Sequence, residues 1–200
     1  MNPTVQAWWI GGVTCACKST VAKTLAQRSE RQVYSTDEHF DHHAEIATKQ
    51  RHPTMHSYQH DDEWTRWVRA LPNEERLEVW LEFFRERFSL ILEDLKKMRP
   101  APVIVEGVDL LPEMVLPLVK RSEAAWLIPT RPFFERHYAK RDWVSEEPDD
   151  EVWGYYSLNI KHVRDGVRKA NGVVLEVDGQ TGPVHLADAL AKHFRSVSFQ

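Results

Sequence analysis

Val5-Gln6-Ala7-Trp8-Trp9-Ile10-Gly11-Gly12-Val13-Thr14-Cys15-Ala16-Cys17-Lys18-Ser19-Thr20 decides how the rest of the chain is read. An apolar run from Val5 to Ile10 predicts a strand, and the glycine pair closes it. From Lys18 to Arg28, Val21, Ala22 and Leu25 share one face, which predicts a helix. Between them, the pattern G-x-x-x-x-G-K-S/T is met at Gly12, Lys18 and Ser19. A short loop between strand and helix turns backbone N–H groups inward and adds the positive end of the helix, while the lysine reaches the outer phosphates. Ser19 is the position that ligates magnesium in such a loop. Gly12, Val13, Thr14, Cys15, Ala16, Cys17, Lys18, Ser19 and Thr20 are therefore the expected phosphate-binding residues. The same residues also fit a plain glycine turn before a capped helix; the strand before them and the helix after them favour phosphate.

One position departs from the pattern. Cys17 stands where the second glycine belongs. A side chain there is expected to cost about 1–2 kcal/mol of backbone strain if the position is left-handed. At tenfold per 1.4 kcal/mol, that weakens binding without abolishing it. A helix N-terminus also favours thiolate, so Cys17 reads either as a redox-sensitive residue or as a tolerated substitution. Cys15 and Cys17 are too close for an easy mutual disulfide and lack companions for a zinc site.

Around this loop lies a chain of 200 residues, 42% hydrophobic and 28% charged, which places it among globular domains. A net charge of −4 removes any global basic field, so nucleic acid and anionic membrane are not expected partners, and an anionic ligand must be held locally. The first basic residue is Lys18 and the early apolar stretch is short, so neither an ordinary secretory signal nor a membrane span is expected. Two cysteines rule out a disulfide framework and point to a reducing, cytoplasmic compartment.

No repeat or linker interrupts residues 1–200, which read as one unit. Further strands are expected at Gln32–Ser35, Val103–Val105, Ala125–Ile128 and Val173–Val177. Helices are expected around Asp61–Leu71, Pro112–Lys120, Pro132–Val144, Asp150–Ala170 and Val184–Phe194, with an acidic turn at residues 146–150. The clearest helix is Glu74–Met98, where Leu77, Leu81, Phe84, Phe88, Ile91, Leu92 and Leu95 form one stripe. Asn73 is its expected cap, and it should be roughly 37 Å long. Five short strands alternating with helices make an α/β fold with a parallel sheet covered on both faces.

With this order of elements, the Gly12–Thr20 loop makes the chain resemble the P-loop small-molecule kinases: shikimate and gluconate kinases, chloramphenicol phosphotransferase, nucleoside monophosphate kinases and 2-phosphoglycerate-kinase-like proteins. The resemblance implies a P-loop NTPase-type three-layer sandwich with a five-stranded parallel sheet, an acceptor-binding insertion at 36–72 and a helical lid at 131–170. It implies ATP and Mg2+ as cofactors. It gives Asp37, after the second strand, the task of orienting or deprotonating an acceptor hydroxyl, against the plainer role of a helix cap. It gives Glu106 a place in the magnesium shell, against a bond to a backbone turn, and sets Gly179 beside the adenine. Arg136 and Arg141, in preference to Arg131, are the lid arginines it implies, against a solvated basic face; Lys161, Arg164 and Arg168 form a second basic stripe.

The acceptor region holds six of the ten histidines, with Tyr58, Trp64 and Trp67. A metal site can be written from them, but no ligand pair has metal spacing, and polar surface is the plainer reading. The aromatics fit either an apolar acceptor pocket or the core. Arg51, Arg66 and Arg69 lie within reach of an acidic acceptor, which the sequence does not identify. The resulting expectation is transfer of the ATP γ-phosphate to a small-molecule hydroxyl by Lys18, Asp37, Arg136 and Arg141. The rival is a non-catalytic nucleotide-binding protein with a degenerate loop. Phosphorylation of a nucleic acid end fits poorly with the acidic balance.

Overall fold

Alternation of side chains across five short strands sorts the apolar residues into two cores. A computed structural model describes residues 6–98, 101–141 and 149–195. The strands β1 (Ala7–Gly12), β2 (Gln32–Ser35), β3 (Val103–Glu106), β4 (Ala124–Pro129) and β5 (Val174–Val177) form one parallel sheet in the order β2-β3-β1-β4-β5. Trp8, Ile10, Ile104, Ala125 and Leu127 face one side, where α1 (Lys18–Ala26) and α9 (Pro183–Arg195) bring Val21, Leu25, Leu190 and Phe194. Trp9, Val103, Val105, Trp126 and Ile128 face the other, against Phe88, Ile91 and Leu95 of α5 (Asn73–Lys97) and Ile160, Val163 and Val167 of α8 (Asp150–Lys169). This is the three-layer α/β sandwich expected from the chain.

The chain runs from β1 to β2 and β3 on one side of the sheet, then crosses to β4 and β5 on the other. The carboxyl end of β1 is thus the topological switch point, where open α/β sheets bind ligands.

Several expectations need correction. Residues 36–72 form more than one helix: a 3-10 turn at Asp37–His39, then α2 (Phe40–Ile46), α3 (Pro53–His60) and α4 (Trp64–Ala70). Each is too short to show a helical period and depends on packing. Glu86 of α5 accepts from Thr54 N and Met55 N, both at 2.9 Å, and so caps α3 from outside. Asn73 is not the cap of α5 but its first residue; Pro72 precedes it, and Asn73 Nδ2 instead reaches the Glu151 carbonyl at 3.2 Å. The expected helix from Pro112 to Lys120 is the single turn α6 (Pro112–Val115), because Pro117 cannot continue it. α7 (Arg131–Tyr138) ends before Val144, and Asp149 caps α8 by accepting from Val152 N at 2.8 Å. Val5, Val144 and residues 146–148 of the acidic turn lie outside the described residues. Trp64 and Tyr58 pack edge-on with Trp80 and Phe83 in a third core beneath α5, which makes them core rather than pocket.

Asp94 ties three elements together. It accepts from Tyr34 Oη (3.1 Å) in β2, His43 Nε2 (2.9 Å) in α2 and Lys97 Nζ (2.8 Å) in α5. Burial pushes its carboxyl up, but bonds from Lys97, His43 and Tyr34 outweigh this and hold it at about 2, against an ordinary 3.8. The folded protein therefore takes up this proton less readily than the unfolded chain. The linked stability, about 2 kcal/mol, is present above about pH 4 and lost as pH falls towards 2. Asp94→Asn should cost about that much in a urea titration at pH 7 and little at pH 2; an equal loss at both would contradict the linkage.

Candidate nucleotide and acceptor site

At the switch point, Gly12 has φ 131°, and a side chain there would overlap the Leu127 carbonyl of β4. Glycine is required at this position. The loop then curls through Cys15 (φ 62°) and Cys17 (φ 58°), both left-handed, into the N-terminus of α1. Successive turns of this kind make the concave backbone that binds anions. The sequence located strain at Cys17 alone; Cys15 shares it, since its position is not a glycine of the pattern.

Lys18 is buried, with 8% of its surface exposed, and donates from Nζ to the Val13 carbonyl at 2.9 Å. Burial pushes its pKa down; Glu106 and Asp37 act against this, and so, less strongly, does Asp109. Glu106 ends β3 with its side chain buried, accepting from Ser35 Oγ at 2.6 Å. Asp37 is exposed, opens the 3-10 turn after β2 and caps nothing.

Lys18 and Asp37, but not Glu106, line one cavity of about 480 Å³, together with Thr14, Cys15, Ala16, Cys17, Ser19 and Thr20 from the loop and α1, Val108 from the turn after β3, His137 of α7, and Lys140 and Arg141 just beyond its end. Arg141 bonds the Cys15 side chain, and Tyr156 of α8 bonds Thr14. Helices α7 and α8 thus lean on the loop. The donor set fits a magnesium-bound polyphosphate: a buried ammonium with one of its three N–H groups on Val13, an exposed hydroxyl on Ser19, and carboxylates on Asp37 and Glu106 in electrostatic reach of the ammonium.

Other expected residues lie elsewhere. Arg136 is absent from the cavity lining and stands instead beside Gly179 (φ 86°), whose missing side chain would lie 3.2 Å from Arg136 Nη2. Arg131 pairs with Glu135 at 2.7 Å and Asp150 at 2.5 Å. Lys161 and Arg168 share Asp165, and Arg164 pairs with Glu176, so each member of the second basic stripe has a carboxylate partner on the surface. Arg51 and Arg66 pair with Glu93 and Glu63. His43 and His52 are buried in hydrogen bonds, and among the described residues no group of three or more metal-ligating side chains forms. No helix among the described residues is long and apolar enough to cross a membrane. His137 and Val108 escaped the sequence reading, since nothing in their neighbourhood marks them; Lys140 shows only as the fourth residue after Arg136.

Of the two readings of Cys17, the structure opposes the redox-sensitive thiolate and not the tolerated substitution. Burial pushes the Cys17 thiol up, Cys15 adds to this, and Lys18 and Arg141 only partly oppose it. Cys15 is raised by burial as well, despite Arg141. Neither is an activated thiolate.

No protein-family profile and no curated protein sequence matches the chain. Solved structures do. A shikimate kinase from Acinetobacter baumannii, in complex with shikimate, superposes with a TM-score of 0.57 at 16% identity, covering 98% of this chain and 97% of that one. TT1252 from Thermus thermophilus gives 0.57 at 20% identity, covering 93% and 96%. The chain has the fold of the P-loop small-molecule kinases.

Cys17→Gly should relieve the left-handed strain, offset in part by the freedom glycine gains when unfolded, for a net gain of about 0.5–1 kcal/mol. Calorimetric melting should rise by about 1–4 °C. A lower melting temperature would show that the Cys17 side chain holds the loop rather than strains it.

Proposed function

We propose that this protein is an ATP-dependent phosphotransferase acting on a hydroxyl of a small molecule. The observation that carries this function is the convergence of Lys18, the Thr14–Thr20 loop, Asp37, Lys140 and Arg141 on one cavity at the carboxyl end of β1. Bound Mg-ATP supplies the phosphoryl group and the metal that orients it. Lys18 and the loop amides hold the outer phosphates, and Ser19 and Glu106 hold the magnesium and its water shell. Asp37, which lines the same cavity as Lys140 and Arg141, orients the acceptor hydroxyl and takes its proton as the hydroxyl oxygen bonds the γ-phosphorus and the bond to the departing ADP breaks. Arg141 and Lys140 meet the charge that develops on the transferring group, and Arg136, beside Gly179, faces the base end of the nucleotide. Catalysis of this kind is positioning and electrostatics, for which these groups suffice.

A second function, nucleotide binding without catalysis, is favoured by one observation: the loop carries two side chains, Cys15 and Cys17, at left-handed positions. Turnover separates the two. ADP release should be measured with Mg-ATP and a panel of small alcohols, shikimate among them. Lys18→Ala should lower turnover about a hundredfold or more. Asp37→Ala should lower it by about 10²–10⁴ while leaving the Mg-ATP dissociation constant nearly unchanged. Transfer that survives Lys18→Ala, or an Asp37→Ala variant as active as wild type, would contradict the assignment.

A further inference from the structure

Arg87 lies on the apolar stripe of α5 between Phe84 and Ile91, with only 1% of its surface exposed. Burying a guanidinium is costly, and an apolar side chain of similar size commonly serves stability as well or better. Its contacts show what the charge does. Nη1 donates to Asp109 Oδ2 at 2.6 Å, Nη2 donates to the Thr36 carbonyl, and Nε donates to His43 Nδ1 at 3.2 Å, while the guanidinium lies 4.8 Å from the centre of the Phe40 ring.

Two of these partners are the footings of the cavity. Thr36 immediately precedes Asp37, and Asp109 immediately follows Val108; Asp37 and Val108 line the cavity from the turns after β2 and β3. Asp109 is fully buried and is also among the carboxylates that act on Lys18. The remaining side-chain valences of these footings are open: Asp109 Oδ1 and Thr36 Oγ1 have no hydrogen-bond partner among the described residues. Both lie against Gly107, where any side chain would collide with them. The Ser35 Oγ–Glu106 bond joins the strand ends, and Arg87 ties the two turns beyond them by bonding the Thr36 carbonyl and Asp109 together. It touches neither loop nor cavity.

We infer that Arg87 is a positioning residue for phosphoryl transfer, fixing Asp37 relative to Lys18 by holding the Thr36 carbonyl and Asp109 on one guanidinium. This rests on the phosphotransferase function proposed above. The charge is kept for geometry, because a planar fork can bond two turns and a histidine at once where an apolar side chain bonds none.

The test compares wild type with Arg87→Met and Arg87→Lys, measuring the Mg-ATP dissociation constant by calorimetry and the turnover of Mg-ATP hydrolysis, with water standing in for the acceptor. Arg87→Met should bind Mg-ATP within about threefold of wild type yet turn over about 10²-fold more slowly, the cost of misplacing a reacting group by about 1 Å. Arg87→Lys should recover part of that loss. If Arg87→Met does not fold, Arg87→Lys, which keeps the charge but cannot bond both turns and the histidine at once, is read in its place. Unchanged turnover in the folded variant, or equal losses in binding and turnover, would overturn the positioning role alone. Wild-type protein that binds no Mg-ATP, or that transfers its phosphoryl group neither to water nor to any alcohol of the panel above, would overturn the phosphotransferase function and this inference with it.

Discussion

A lysine buried inside an anion-shaped loop is the constraint around which this molecule is built. Desolvation makes the Lys18 ammonium costly, and an uncompensated one would shed its proton. Glu106, Asp37 and Asp109 act against that cost; Asp37 comes from the turn after β2, Glu106 from the end of β3 and Asp109 from the turn that follows it, all at the carboxyl edge of the sheet. The sheet order brings those turns together: β3 lies between β1 and β2, so the ends of the loop strand, the Glu106 strand and the Asp37 strand are neighbours. The ammonium and its carboxylates form a charged centre whose positive member belongs to a residue that lines the cavity. That is the electrostatic condition for holding a polyphosphate on an acidic protein, whose net charge of −4 would otherwise repel it.

A second charged centre, wholly buried, supports the first. Arg87 links α5 to α2 through His43 and to both cavity turns, and His43 passes the contact to Asp94, which returns it to β2 through Tyr34. The chain of bonds runs from the surface at Lys97 to the wall of the site. Helix α5, 25 residues long, is therefore both a wall of the core through Ile91 and Leu95 and the carrier of the side chain that bonds the turns after β2 and β3.

Much of this was legible in the sequence where the signal was local. The glycine pair, Lys18 and the β-branched run at Val103–Val105 each state their structure within a few residues, and the heptad-like stripe of α5 does so over many. What was not legible depends on contacts distant in sequence. The helices of residues 36–70 hold together through Phe83, Trp80 and the Glu86 carboxylate, all from α5, so their own sequences show no period. Arg136 reads as a lid arginine by its place after the fourth strand, yet the pitch of α7 turns it to Gly179 and leaves Arg141 at the loop. The function of Arg87 had a signal, a charge on an apolar stripe, which gains meaning only when Asp109 and Thr36 are seen beneath it.

The central claim is that the loop binds nucleotide phosphate despite side chains at two left-handed positions. Calorimetric titration of Mg-ATP into the reduced protein, beside Cys17→Gly, tests it most directly. Micromolar binding to both, tighter by up to about tenfold in the variant, is the expected result. Absence of binding to both proteins would contradict the account.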